Sequence, residues 1–343
     1  MVAGQYVVTL KSGSAASVAS ARGIAMRHVY TSAVKGFAAA LSGTQLRALQ
    51  SDSDVASIEP NQIVRIATTQ SPTPSWGIDR IDQRNLPLSN SYTYTATGAG
   101  VTAYIIDTGI NPTHPDFGGR AAVAFDATGG DGIDCNGHGT HVAGTIGSTS
   151  YGVAKGVALR GVRVLNCAGS GTTADVIAGV DWVTANSPGP SVANMSLGGG
   201  KSTALNNAVA NLSNSGVLVA VAAGNSSANA CNSSPSSEPT AVTVAASTIT
   251  DASASFTNFG RCVDLYAPGV NITSTWLGSG TNTISGTSMA TPHVAGVAAL
   301  YKSTFGDAPS ATVASYITSN ATAGVLSGVP RRTPNLLQYT NQL

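Results

Sequence analysis

From Gly98 onward, short apolar runs alternate with amphipathic segments, and that alternation leaves few folds open. Residues 101–106, Val-Thr-Ala-Tyr-Ile-Ile, read as a buried strand ending in Asp107-Thr-Gly109. Residues 157–165 read as another, followed by a helix with Val176, Ile177, Val180 and Val183 on one face and Thr172 or Thr173 as its cap. A third strand, 191–197, leads to a helix over 203–213 that carries Leu205, Ala208, Val209 and Leu212 and closes at Gly216. Further strands are expected at 217–222, 241–246 and 262–267. Such β and α units in alternation imply an α/β fold, a mostly parallel sheet with helices on both faces. Chemistry in these sheets gathers beyond the carboxyl ends of the strands, where Asp107 and Asn225 fall.

The first part of the chain has a different rhythm. Strand 5–10, helix 15–22, strands 26–30 and 36–41, helix 44–50 and strand 55–58 give the βαββαβ order of a small α+β ferredoxin-like unit. Residues 66–75, Ile-Ala-Thr-Thr-Gln-Ser-Pro-Thr-Pro-Ser, are polar and without periodicity, so an exposed connector is expected, either an interdomain linker or a processing site. The expected domains are 1–67 and 68–343. Through Ile66 there are six Lys and Arg against three Asp and Glu, and beyond it eleven against thirteen, a faint sign that the two parts touch.

Charged residues make up only 10% of the chain, at a net charge of +1. There is no basic patch for nucleic acid and no apolar run near the roughly 18 to 20 residues of a membrane span, so neither partner is expected, and the chain reads as a monomer. Cys135, Cys167, Cys231 and Cys262 match neither a CxxC metal site nor a redox pair. Two disulfides fit them better than four thiols, which points outside the cytosol. Met1-Val-Ala-Gly-Gln-Tyr enters a strand pattern without the charged start and apolar region of a signal peptide, so a secreted protein would have lost its address.

Gly286-Thr-Ser-Met-Ala-Thr-Pro-His-Val-Ala-Gly296 reads as a strained turn feeding a helix, with Val294, Val297, Ala298 and Tyr301 at helical spacing. Pro292 falls in its first turns, where a missing N–H costs little. Ser288 is set at the helix start, where small neighbours leave its hydroxyl open and the helix dipole favours negative charge. As a nucleophile it needs a base and an orienting acid. Of the five histidines, His28 lies in the small unit, His114 in a turn and His293 on the packed face of the Ser288 helix. His138 and His141 remain, in Asp134-Cys-Asn-Gly-His-Gly-Thr-His-Val-Ala-Gly144. Their HxxH spacing lacks the glutamate of a zinc-protease helix. His138, between Gly137 and Gly139, is the better exposed.

Asp107-Thr-Gly, Gly137-His-Gly-Thr-His and Gly286-Thr-Ser-Met-Ala-Thr-Pro together resemble the three signature blocks of the subtilisin-like serine proteases, in that family's Asp, His, Ser order. The cysteine positions and Asn194-Met-Ser-Leu-Gly-Gly-Gly200 are most similar to aqualysin-like members of the proteinase K branch, and the first domain resembles the family's inhibitory propeptide. The resemblance implies a secreted serine endopeptidase, made as a self-processed zymogen, with Ser288 as nucleophile, His138 as base, Asp107 as orienting acid and Asn225 as oxyanion donor. It makes Gly169, Ser170 and Gly171, and Ser196, Leu197 and Gly198, the two edges that hold an extended substrate. Ala222, Ala223 and Gly224 become part of the specificity-pocket wall, and broad specificity with an apolar preference is expected. Structural calcium is implied at Pro239, Ala241 and Asp264, and at Asp79, Asp82, Gln83, Ser89 and Ser91. The implied disulfides are Cys135–Cys167 and Cys231–Cys262. The propeptide's C-terminal tail would occupy the cleft, with self-cleavage between Ile66 and Thr69. The rival reading is a catalytically silent binding protein on the same fold. An apparent phosphate loop at Gly198-Gly-Gly-Lys-Ser202 has Met195 where its motif needs glycine, and no GxSxG elbow occurs.

Overall fold

A computed structural model describes residues 2–61 and 67–343, and the chain divides into two units, 1–66 and 67–343. In the first, four antiparallel strands lie in the order Met26–Tyr30, Gly36–Ala40, Gln5–Leu10, Val55–Pro60. Its helices Ala15–Ser20 and Gly43–Gln50 each start at a serine cap: Ser14 accepts from Ser17 N, and Ser42 from Gln45 N. Val8, Phe37 and Leu49 are fully buried in its core.

The second unit is built on nine strands in the order Thr322–Ala323, Leu336–Leu337, Leu265–Pro268, Val242–Ser247, Leu218–Ala222, Ser191–Met195, Thr102–Asp107, Ala158–Arg163 and Ala121–Asp126. Every neighbouring pair is parallel except the first. Strand alternation divides the core in two. From Thr102–Asp107, Ala103 and Ile105 join Val142, Ile146, Val294 and Val297 of the helices His138–Gly147 and Thr287–Phe305 on one face. Tyr104 and Ile106 join Val176, Val180, Leu205 and Val209 of the helices Thr173–Ala185 and Thr203–Asn214 on the other.

The polar stretch expected to be an exposed connector is partly ordered by pairing: Thr68–Gln70 forms an antiparallel ribbon with Tyr92–Tyr94, and Ser75 is buried at the residue before Trp76–Asp82, where its side chain makes no capping bond. A strand partner more than twenty residues away leaves no local periodicity to read. Three strands of the sheet, Ala121–Asp126, Thr322–Ala323 and Leu336–Leu337, and the helix Ser310–Asn320 also escaped the pattern reading.

Candidate active site

Asp107 ends a central strand and is fully buried. Its Oδ1 accepts from Thr108 N at 2.7 Å and lies 2.7 Å from His138 Nδ1, while Oδ2 has no partner among the described residues. An acceptor-only carboxylate there places the imidazole proton on Nδ1 and leaves Nε2 as a base. His138 opens the helix His138–Gly147, and its side chain is 25% exposed. The flanking glycines are sterically required. Gly137 has φ 104°, and a Cβ on it would lie 2.4 Å from the Trp276 ring; one on Gly139 would lie 2.2 Å from Gly109 O. Burial opposes charge on His138, but Asp107 and then Asp134 outweigh it, holding the imidazole pKa above its ordinary value.

Ser288 is the second residue of the helix Thr287–Phe305. The turn before it is not strained as expected, because Gly286 is extended at φ 163°. The Ser288 hydroxyl donates to Ser196 O at 3.0 Å, and no hydrogen bond joins it to His138 among the described residues. The structure therefore pairs Asp107 with His138 and rests the serine on a neighbouring carbonyl. His138, Gly169, Ser170, Gly171 and Ser196 line a cavity of about 570 Å3. Ser288, Asn225, Ala222, Ala223 and Gly224 line one of about 260 Å3, and Leu197, Gly198 and Gly199 border both.

Pro292 stands in the second turn of that helix, not the first, so the Ser288 carbonyl lacks its intrahelical N–H. The Ser196 hydroxyl replaces it at 2.8 Å. Asn225 Oδ1 accepts from Thr287 N at 2.9 Å and from Thr287 Oγ1 at 2.8 Å, which leaves its Nδ2 end without a protein partner among the described residues. Gly224, at φ 104°, turns the chain toward Asn225. Sequence reading missed Thr287 as the residue that orients Asn225; its place beside Ser288 was the available signal.

The other histidines are held elsewhere. His141 Nε2 faces Ile272 O at 3.0 Å and Asn282 O at 3.2 Å, and His293 Nδ1 donates to Met289 O at 2.9 Å. Burial pushes both down to about 4, so they are neutral at physiological pH. His114 Nε2 lies 2.9 Å from Gly280 O. Disulfides join Cys135 to Cys167 and Cys231 to Cys262. Gly199–Gly200 pairs with Ser233–Ser234 in a short ribbon instead of forming a phosphate cradle.

Of the proposed metal ligands, Pro239, Ala241 and Asp264 line one cavity of about 420 Å3. Asp79 Oδ1 accepts from Ser89 N and Oγ, Gln83 Oε1 also faces Ser89 N, and Ser89 Oγ lies 2.8 Å from Ser91 Oγ. Asp82 instead accepts from Thr93 N at 2.6 Å. Among the described residues no three His, Cys, Asp or Glu side chains gather as a metal site, and no helix is long and apolar enough to cross a membrane.

The subtilase family pattern matches residues 98–335, and the peptidase inhibitor I9 pattern matches residues 5–67. The chain is 57% identical over 316 residues to an extracellular serine proteinase of Thermus sp. (strain Rt41A), covering 91% of this chain and 77% of that protein. It is 53% identical over 324 residues to alkaline serine exoprotease A of Vibrio alginolyticus, covering 92% and 60%. The crystal structure of a cold adapted subtilisin-like serine proteinase matches 79% of this chain and 99% of its own, at 56% identity and a TM-score of 0.77.

Proposed function

We propose a mechanism for a chain that belongs to the subtilase family and is a secreted serine endopeptidase with an inhibitor-type propeptide. Rotation about the Ser288 side chain carries its hydroxyl from Ser196 O to His138 Nε2. Oγ attacks the peptide carbonyl as His138 takes its proton; His138 then protonates the leaving amine, and water hydrolyses the acyl-enzyme by the reverse sequence. Asp107 fixes the tautomer and stabilises the imidazolium. The Ser288 N–H at the helix start and Asn225 Nδ2 receive the oxyanion. Losing such a side-chain donor costs on the order of 10² to 10³ in turnover, a magnitude established for a subtilisin and not worked from this structure. The observation that carries the reading is the 2.7 Å contact between His138 and a fully buried Asp107.

The glycine-bearing edges 169–171 and 196–198 suit main-chain recognition of an extended substrate, hence broad specificity. Ala222, Ala223 and Gly224 form an apolar wall for the residue before the cut. Residues 1–67 act as propeptide and 68–343 as the catalytic domain, with self-cleavage between Ile66 and Thr69; Ile66 lies outside the described residues.

Calcium fits the oxygen-only donors. Burial first, and the charge of Asp79 after it, push Asp82 up to about 6; burial pushes Asp264 up to about 6. A hard cation would offset both penalties and neutralise the carboxylates. Asp79, Asp82, Gln83, Ser89 and Ser91 would hold one ion, and Pro239, Ala241 and Asp264 another.

Wild-type protein should clear casein and shorten to a single new N-terminus between Ile66 and Thr69, while Ser288→Ala stays at full length and is silent. A full-length wild type that leaves casein intact would favour the silent binder, and a normally clipped Ser288→Ala would reject self-processing.

A further inference from the structure

Asp134 is only 4% exposed, and among the described residues no lysine or arginine pairs with it. Its Oδ1 accepts from Thr108 Oγ1, Asn136 N and Gly137 N, each at 2.9 Å. Its Oδ2 accepts from Thr140 N at 2.9 Å and from Thr140 Oγ1 at 2.6 Å. Thr108 Oγ1 in turn accepts from Gly139 N at 2.9 Å, and Thr140 Oγ1 from Asn111 N at 3.0 Å, so each hydroxyl that donates to Asp134 is itself held by a backbone N–H. Both oxygens of this carboxyl face donors, and five hydrogen bonds hold it.

These bonds reach both sides of the catalytic contact. Thr108 directly follows Asp107 and continues the turn that presents it, while Gly137, Gly139 and Thr140 surround His138 in the first turn of its helix. We propose that Asp134 is a positioning residue for proton transfer: its buried carboxylate fixes Asp107 and His138 to one another and adds a second negative charge beside the imidazolium formed at each turnover. This deepens the mechanism above and rests on His138 being the base.

The charge environment is otherwise sparse. His141, one turn along the same helix, and His293 on the packed helix Thr287–Phe305 are both neutral at physiological pH. Residues 272–284, 165–173 and 196–200 carry no ionisable side chain except the disulfide-bonded Cys167. Arg163, on the neighbouring strand, donates to Leu165 O at 3.2 Å, to Ile133 O at 3.1 Å and to the Cys135 sulfur at 3.2 Å, and lies 3.8 Å from Asp126. Asp107 and Asp134 are thus the anions that favour the charged imidazole, and both contribute to its upward shift.

The test is the pH profile of kcat/KM on a peptide substrate for matured wild type and Asp134→Asn, beside His138→Ala cleaved in trans and repurified. Asp134→Asn should lower kcat on the order of tenfold to a hundredfold with KM nearly unchanged. It should also move the acid limb to lower pH, because removing the anion lowers the His138 pKa. A lower kcat with an unmoved limb, or an unchanged kcat, overturns the proposal. Activity retained by His138→Ala would instead overturn the assignment of the base. If Asp134→Asn does not mature, Thr108→Val and Thr108→Ser take its place. The valine, removing one tether but no charge, should lower kcat without moving the limb, and the serine should restore it; equal kcat in both overturns the tethering role.

Discussion

The partnership of Pro292 with Ser196 can be tested by a double-mutant cycle. Pro292 cannot give the Ser288 carbonyl its intrahelical hydrogen bond, and the Ser196 hydroxyl supplies one at 2.8 Å while accepting from Asn194 Nδ2 at 2.8 Å. Ser196→Ala strands two polar groups, a half-buried carbonyl and a fully buried amide. At about 1–3 kcal/mol per stranded group, with the carbonyl at the lower end, the loss should be about 2–4 kcal/mol. Pro292→Ala alone gives the carbonyl a second donor it does not need and loosens the unfolded chain, a cost of about 0.4–1 kcal/mol. In the double variant the new N–H reaches the orphaned carbonyl, so about 1–2 kcal/mol of the Ser196→Ala loss should return. Urea denaturation of full-length chains, all carrying Ser288→Ala to stop self-digestion, measures each corner. Costs that simply add to within about 0.5 kcal/mol would refute the argument that proline and hydroxyl serve one carbonyl.

His141 and His293, pushed down to about 4, oppose protonation in the fold, so their contribution is present above about 6.5 and lost as pH falls toward 4, about 3 kcal/mol for each. Asp82 and Asp264, pushed up to about 6, act in the opposite sense, so the loss should be measured in an Asp82→Asn, Asp264→Asn background; a flat urea midpoint from pH 7 to 4 would contradict it. His138, shifted upward, contributes fully below its unfolded pKa of about 6.5 and loses its share as pH rises through the folded one, so below about 6.5, where the loss from His141 and His293 develops, its share stays constant. Chelation should lower the thermal midpoint of wild type and do so less in Asp82→Asn or Asp264→Asn; equal midpoints with and without chelator would remove calcium from the account. Cys135→Ser with Cys167→Ser, or Cys231→Ser with Cys262→Ser, opens a loop of separation 32 or 31 and should cost about 3–4 kcal/mol by urea denaturation, whereas a loss below about 1 kcal/mol would exclude the chain-entropy estimate.

The centre of the sheet was legible because its strands are apolar on both faces and the helices Thr173–Ala185 and Thr203–Asn214 bury one face each. The edge was not: Ala121–Asp126 is half-buried throughout, and Thr322–Ala323 is too short to show a period. Asp107, His138 and Ser288 could be picked out because each lies in a motif short enough to read locally. The resting place of the Ser288 hydroxyl, the carbonyl bond that compensates for Pro292, and the five donors on Asp134 could not. Two of these depend on Ser196, 92 residues from Ser288, and the third gathers Thr108, Asn136, Gly137 and Thr140 around one carboxyl through a turn that no local pattern announces.

The central claim is that Ser288, despite resting on Ser196 O, is the group that attacks when His138 takes its proton. Treating the matured enzyme with a serine-directed phosphonate and mapping the adduct by peptide mass spectrometry tests this most directly. One phosphonyl group on Ser288, rising in step with the loss of casein hydrolysis and absent in His138→Ala cleaved in trans, is predicted. Inactivation with the label on another residue, or full activity with Ser288 stoichiometrically labelled, would contradict it.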